Sequence, residues 1–123
     1  MISEKKELIG YKRLIAWQKA DELAKLTYRL SLKFPKEELF GLTSQLRRAV
    51  LSVPLNIVEG YGRNSKNEFK RFLSIALGSL AEVGYLLEFA FHLKYTNEKE
   101  FNDANKLREE VGHIIWKLYA YQK

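Results

Sequence analysis

Cysteine is absent from the 123 residues, which excludes disulfide bonds and thiolate metal sites. This absence fits a reducing compartment such as the cytoplasm. The first ten residues, MISEKKELIG, lack the apolar run of a secretory signal, so we expect an intracellular protein. Neither a phosphate-binding glycine loop nor a nucleophile elbow occurs. We therefore predict a cytoplasmic protein that is not an enzyme and has no cofactor or metal.

Strand-like alternation is also missing, and the few breaks in the chain separate helical segments. The residue before Pro35 avoids the helical conformation and ends the first helix. Gly60 and Gly62 are expected to end the second helix as glycine C-terminal caps. The length suits one domain with its own core.

Two capping signals start the remaining helices. Ser65, with Glu68 three residues later, forms a capping box before the third helix. Thr96 or Asn97 opens the fourth. We predict an all-α fold in a single domain, 1–123, with helices at about 16–33, 43–59, 65–95 and 97–121.

Five polar residues of the second helix fall on one stripe, because they are separated by three, four, four and three positions. The residues between them are nearly all apolar, and buried polar groups cost free energy unless they are hydrogen-bonded. Two residues of the third helix offer partners. We therefore predict a structural polar network that fixes helix register and subunit geometry. Its members are Gln45, Arg48, Ser52, Asn56, Glu59, Ser79 and Glu82.

A ligand or catalytic site is the alternative interpretation of this stripe. In that case Arg48, Asn56, Glu59 and Glu82 would line a solvent-accessible polar pocket of an enzyme.

The second and third helices are apolar around most of their circumference, which a four-helix monomer does not need. The third helix is too rich in carboxylates, serines and glycines for a good membrane span, so we predict no membrane association. A second subunit that buries the extra apolar face is the simpler explanation, and we predict a homo-oligomer.

The net charge of +6 is unevenly distributed. Residues 42–71 hold six basic and two acidic side chains, whereas residues 72–123 hold six and seven. This excess is compatible with an anionic partner such as RNA or another nucleic acid, although solvated surface charge is the alternative. Lys5, Lys6, Lys12 and Arg13 could add a basic arm. The predicted nucleic-acid-binding residues are Arg47, Arg63, Lys66, Lys70 and Arg71.

Two spacings resemble those of metal sites. Glu110 and His113 are three residues apart, as in di-iron bundles, but such sites need a second pair. Glu88 and His92 have no partner histidine on the same helix, so a helix-end role for His92 is favoured. We predict no metal site.

The order and spacing of residues over about 14–95 resemble the 23S rRNA intervening-sequence protein family. The matching pattern is Trp17-Gln18-Lys19-Ala20, Phe34-Pro35, Glu38, Phe40-Gly41-Leu42-Thr43, Gln45-Leu46-Arg47-Arg48-Ala49, Ser52, Asn56-Ile57 and Glu59-Gly60, followed by Phe69, Phe72-Leu73, Ala76, Gly78-Ser79 and Glu82.

This resemblance implies an antiparallel up-and-down four-helix bundle that assembles into a ring-like homopentamer. Accessory variability proteins of diversity-generating retroelements look related, which implies a reverse transcriptase or a ribosome-associated protein as a partner. The function predicted from sequence is a non-enzymatic oligomer that binds RNA or another nucleic acid through basic surface patches. A protein-interaction scaffold without nucleic-acid binding is the main alternative, and an enzyme with a polar pocket is the weaker one.

Overall fold

The computed structural model describes residues 8–122, and this part of the chain is helical without any strand. The prediction of an all-α fold with four helices is confirmed for these residues. Lys5 and Lys6 of the predicted basic arm lie outside the described residues. The helices are α1 (Ile15–Ser31), α2 (Leu42–Gly62), α3 (Lys66–His92) and α4 (Glu98–Tyr121), and short 3-10 turns occupy Gly10–Arg13 and Lys36–Glu38.

Each helix packs against two neighbours, α1 and α3 both lying between α2 and α4. Along α2 and α3 the contacts run in opposite directions: Gly60 lies beside Phe72, while Ser52 is hydrogen-bonded to Ser79. The short connections favour such antiparallel neighbours. The chain therefore forms an up-and-down four-helix bundle.

Each helix contributes an apolar stripe to the core. The largest fully buried side chains include Leu23, Leu46, Leu73 and Ile115. By length and composition alone, α3 could also cross a membrane. Its buried side chains, however, recur every three or four residues from Phe72 onward, the pattern of a helix packed on one side against a protein core. One side of α3 is thus buried inside the bundle, while Ile75, Tyr85 and Phe89 on its outer side are exposed.

Local hydrogen bonds define where the helices begin and end. Ser65 Oγ accepts from the Glu68 amide (3.3 Å) and starts α3. Asn97 and Glu100 form a reciprocal capping box that starts α4. The amide of Lys94 donates to the Phe91 carbonyl (2.9 Å), and the next amide reaches back to residue 90, so α3 ends in a Schellman motif. Lys94 takes the left-handed position usually filled by glycine, with φ 64°.

The prediction that Gly60 and Gly62 cap α2 is wrong. Both residues lie inside the helix, which ends where Arg63 turns to an extended conformation. Gly60 instead serves packing, because a Cβ atom there would lie 2.8 Å from the Phe72 Cβ. The absent side chain lets α2 and α3 approach closely.

Candidate nucleic-acid interface

Positive charge is concentrated at one end of the bundle, where the first 3-10 turn, the end of α2 and the start of α3 meet. Among the described residues outside this end, twelve basic and eleven acidic side chains nearly balance. We call this region the basic end, and it comprises Lys12, Arg13, Arg63, Lys66, Lys70 and Arg71, with Glu59 and Glu68 as its acidic residues.

Contacts between distant parts of the chain assemble the basic end. Arg13 Nη2 donates to the hydroxyl of Tyr61 (3.4 Å) and places the first turn against the last turns of α2. An open depression of ≈ 440 Å³ lies beside them. Its lining includes Arg63 just after α2, Lys66 at the start of α3 and Gln122 just after α4. Three segments of the chain therefore contribute to one surface.

The two arginines of the basic end nearest the α2–α3 connection already have intramolecular partners. Arg63 Nη2 lies 2.8 Å from Glu59 Oε1, and Arg71 Nε lies 3.0 Å from Glu68 Oε2. The Arg71 hydrogen bond lowers the pKa of Glu68, and Glu68 in turn raises the pKa of Arg71. Both guanidinium groups also lie against the ring of Phe72, at 5.2 and 4.4 Å from its centroid. These contacts hold the arginines in place while roughly half of each side chain stays exposed.

Lys66 and Lys70 form fewer contacts with other side chains than the arginines do. Lys66 is exposed and forms no ion pair or hydrogen bond with any other side chain in residues 8–122. Lys70 Nζ lies 4.8 Å from the centroid of the Tyr119 ring, a cation–π contact that joins α3 to α4. Because surface ion pairs contribute little, the exposed arginines and both lysines can all exchange their present contacts for a phosphate.

Arg47 does not extend this surface as predicted. It lies sixteen residues before Arg63 on α2, roughly 24 Å along the helix axis. Its Nε donates to Ser31 Oγ (2.8 Å), and its guanidinium covers the ring of Tyr28 at 5.2 Å. Arg47 therefore links α2 to the end of α1.

The predicted polar network is smaller within one chain than the spacing indicated. The Ser52 and Ser79 hydroxyls are hydrogen-bonded across α2 and α3, and Asn56 Nδ2 donates to the Ser52 carbonyl (2.7 Å). The other four predicted members are exposed, because they lie on the outer sides of the helices rather than at their contact. These are Gln45, Arg48, Glu59 and Glu82.

Part of the stripe lines an open depression of ≈ 340 Å³, formed by Gln45, Arg48, Ser52 and Glu82 together with one alanine. The pocket of the enzyme alternative would also need Asn56 and Glu59, which do not line it. The partners of the Ser52 hydroxyl are a hydroxyl and an amide, neither of which is a general base. The arrangement offers polar groups for contact but no activated nucleophile.

The metal-like pairs are on the surface. Glu110 lies 3.4 Å from the Lys19 ammonium, and His113 is exposed. In the described part of the chain no three His, Asp or Glu side chains come together as a metal-ligand group. His92 lies in the last turn of α3, where its ring is 6.0 Å from that of Phe91.

Two surface features stand out, and only the second was indicated by the sequence. Trp116 on α4 is 54% exposed although this helix has an ordinary apolar stripe. Apart from Tyr61, five large apolar side chains are exposed along α2 and α3, as the apolar circumference of these helices indicated. They are Leu51, Leu55, Ile75, Tyr85 and Phe89.

Comparison with known proteins gives a family and a fold. The model of the 23S rRNA-intervening sequence protein family matches residues 12–117. A crystal structure of a protein of unknown function from the S23 ribosomal protein family of Bacteroides thetaiotaomicron VPI-5482 is similar, with a TM-score of 0.80. The two chains are 23% identical over 86% of this chain and 96% of that one, which shows a shared fold. The chain matches no curated protein.

Proposed function

The chain belongs to the 23S rRNA-intervening sequence protein family, and from this premise we propose that it is a non-enzymatic protein that binds nucleic acid through its basic end. The observation that carries the proposal is the distribution of charge. Six basic and two acidic side chains share the basic end, while the rest of the described chain is almost neutral. Phosphate groups supply most of the affinity of such surfaces.

The geometry of the basic end favours defined contacts with phosphate groups over attraction by net charge alone. Both guanidinium groups lie against the Phe72 ring, which can keep supporting them when a phosphate replaces their carboxylate partners. Lys66 and Lys70 are one turn apart on α3, at about 6 Å along its axis. The surface therefore presents supported guanidinium groups next to two ammonium groups on one side of α3.

A matched pair of double variants tests this location. We expect K66Q/K70Q to weaken binding of an RNA oligonucleotide at low salt, while K36Q/K94Q binds like the wild type. Lys36 and Lys94 are exposed at the opposite end of the bundle, so the control removes the same charge elsewhere. Equal weakening in both variants, or no binding by the wild type at low salt, would contradict the proposal.

We also propose that the protein is a homo-oligomer whose subunits meet through the outer sides of α2 and α3. The exposed apolar side chains there, with Tyr85 at 64% and Leu55 at 56%, are typical of a contact surface. Arg48 and Glu82 lie on the same side and carry opposite charges, which would help to align one subunit with the next. The family resemblance implies a pentamer.

Sedimentation of a matched pair tests the subunit contact. L55E should dissociate the oligomer at micromolar concentration, whereas L32E, at an exposed leucine that follows α1 and lies away from the outer sides of α2 and α3, should not. A stable monomer of the unmodified protein would refute this part of the proposal. An oligomer that binds no nucleic acid would favour the scaffold alternative. A reverse transcriptase or ribosome-associated partner remains a prediction from the resemblance, and a cytoplasmic location remains a prediction from the composition and the N-terminal sequence.

A further inference from the structure

A basic and aromatic strip runs along the groove between α3 and α4, starting at the basic end. Lys70 lies over the ring of Tyr119, and Trp116 stacks on that ring with centroids 5.4 Å apart and planes 20° apart. Lys66 lies one turn before Lys70 on α3. We call Lys66, Lys70, Trp116 and Tyr119 the α3–α4 strip.

Trp116 is conspicuous because it is large, apolar and more than half exposed. The other tryptophan, Trp17, is half-buried against the core and has Tyr11 at 5.1 Å. Trp116 is one residue beyond the buried Ile115, on the side of α4 that faces solvent. The Tyr119 ring supports one part of the indole while the rest stays open.

We propose that the basic end takes single-stranded nucleic acid, with an unpaired base stacked on Trp116 and the backbone bound by Lys66 and Lys70. This inference rests on the proposed nucleic-acid binding and specifies its ligand. Surfaces that bind single strands combine a positive groove with exposed aromatic rings, and every base has a face that can stack. Bases inside a duplex are already stacked on each other and cannot use such a ring.

The order of the groups along the strip suits a strand. The two lysines lie toward the basic end, and the open indole of Trp116 lies about one turn before Tyr119 in α4, farther from that end. Tyr119 is covered by Lys70 and Trp116, so a base stacked on Trp116 extends an existing stack. Orientation of the indole is thereby fixed before the base arrives, which reduces the entropy lost on binding.

Binding of two probes to four proteins tests the inference. The probes are an unstructured 12-nucleotide RNA and a 12-base-pair RNA duplex, with affinity measured by fluorescence anisotropy. The wild type should prefer the single strand, and W116A should lose roughly 5- to 100-fold affinity for it while its affinity for the duplex is unchanged. W116F should recover part of the loss, because a smaller ring still stacks.

The control is F40A, since Phe40 is 94% exposed at the opposite end of the bundle and its removal should change neither affinity. Indole fluorescence should also be quenched by the single strand in wild type and not in W116A. Unchanged single-strand affinity in W116A, or an equal loss for both probes, would overturn the inference while leaving the proposed function in place. A wild type that binds neither probe would refute both, and a W116A variant with altered sedimentation would make Trp116 a subunit contact instead.

Discussion

Replacing Gly60 with alanine should destabilise the bundle, although alanine is the better helix former. A Cβ atom at residue 60 would lie 2.8 Å from the Phe72 Cβ and 3.0 Å from the Phe69 Cδ1. The first of these atoms is fixed to the backbone of α3, so the two helices must separate to relieve the contact. Gly62 lies two residues farther along α2, and a Cβ atom there meets nothing within 4 Å.

Comparison of the two glycines isolates the free-energy cost of overpacking at residue 60. Alanine in place of a helical glycine gains about 0.5–1 kcal/mol at either position, because less conformational entropy is lost on folding. Overpacking a close contact costs about 1–3 kcal/mol and applies at Gly60 alone. We therefore expect G62A to be more stable than the wild type and G60A to be less stable. The difference between the two variants should equal the overpacking cost, about 1–3 kcal/mol.

Urea denaturation followed by far-ultraviolet circular dichroism measures both variants, at one protein concentration because any association would add to the apparent stability. If G60A is as stable as G62A, the close approach of α2 and α3 at this point is not a constraint, and Gly60 needs another explanation.

Three further changes test other parts of the fold. K94G should stabilise the protein by about 0.5–1 kcal/mol in thermal unfolding, because glycine relieves the left-handed strain at φ 64° but loses more entropy on folding. No gain would mean that Lys94 makes compensating contacts. S79A should cost about 1 kcal/mol in urea denaturation by leaving Ser52 without its partner across the helices, whereas S74A on the exposed side of α3 should stay within about 0.5 kcal/mol of the wild type. The Asn97 amide, and to a smaller extent Lys33, lower the pKa of Glu100 from its usual 4.5. The Glu100 carboxylate therefore stabilises the fold fully above that pH, and this stabilisation is lost as the pH falls through the lowered pKa. E100Q should accordingly flatten the fall in unfolding free energy between about pH 5 and pH 3, and an unchanged pH profile would contradict this linkage.

The helices could be predicted because their ends depend on local chemistry. Ser65 and Asn97 cap α3 and α4 through hydrogen bonds to residues three positions away, which a sequence displays directly. The ends of α2 and α3 could not be located in the same way. Gly60 stays helical because of a contact with Phe72 in another helix, and Lys94 ends α3 without the glycine that usually marks such a position.

The candidate site was predicted less completely, since periodicity shows which residues share a side of a helix but not what covers that side. Ser52 lies where α2 meets α3, whereas Arg48 on the same stripe is already past the contact and exposed. Arg47 was grouped with the basic surface by its charge, yet its position on α2 takes it to the other end of the bundle. Trp116 was overlooked because only packing reveals that its ring remains open.

The most direct test of the account is the salt dependence of RNA binding. The logarithm of the association constant for a single strand falls with the logarithm of salt concentration, at a slope of about −0.7 for each phosphate neutralised. The wild type should show a slope of about −2 to −4 if three to six groups of the basic end bind phosphate. K66Q/K70Q should reduce the magnitude of that slope by about 1.4, and K36Q/K94Q should leave it unchanged. A slope near zero, or one that K66Q/K70Q leaves unaltered, would contradict nucleic-acid binding at the basic end.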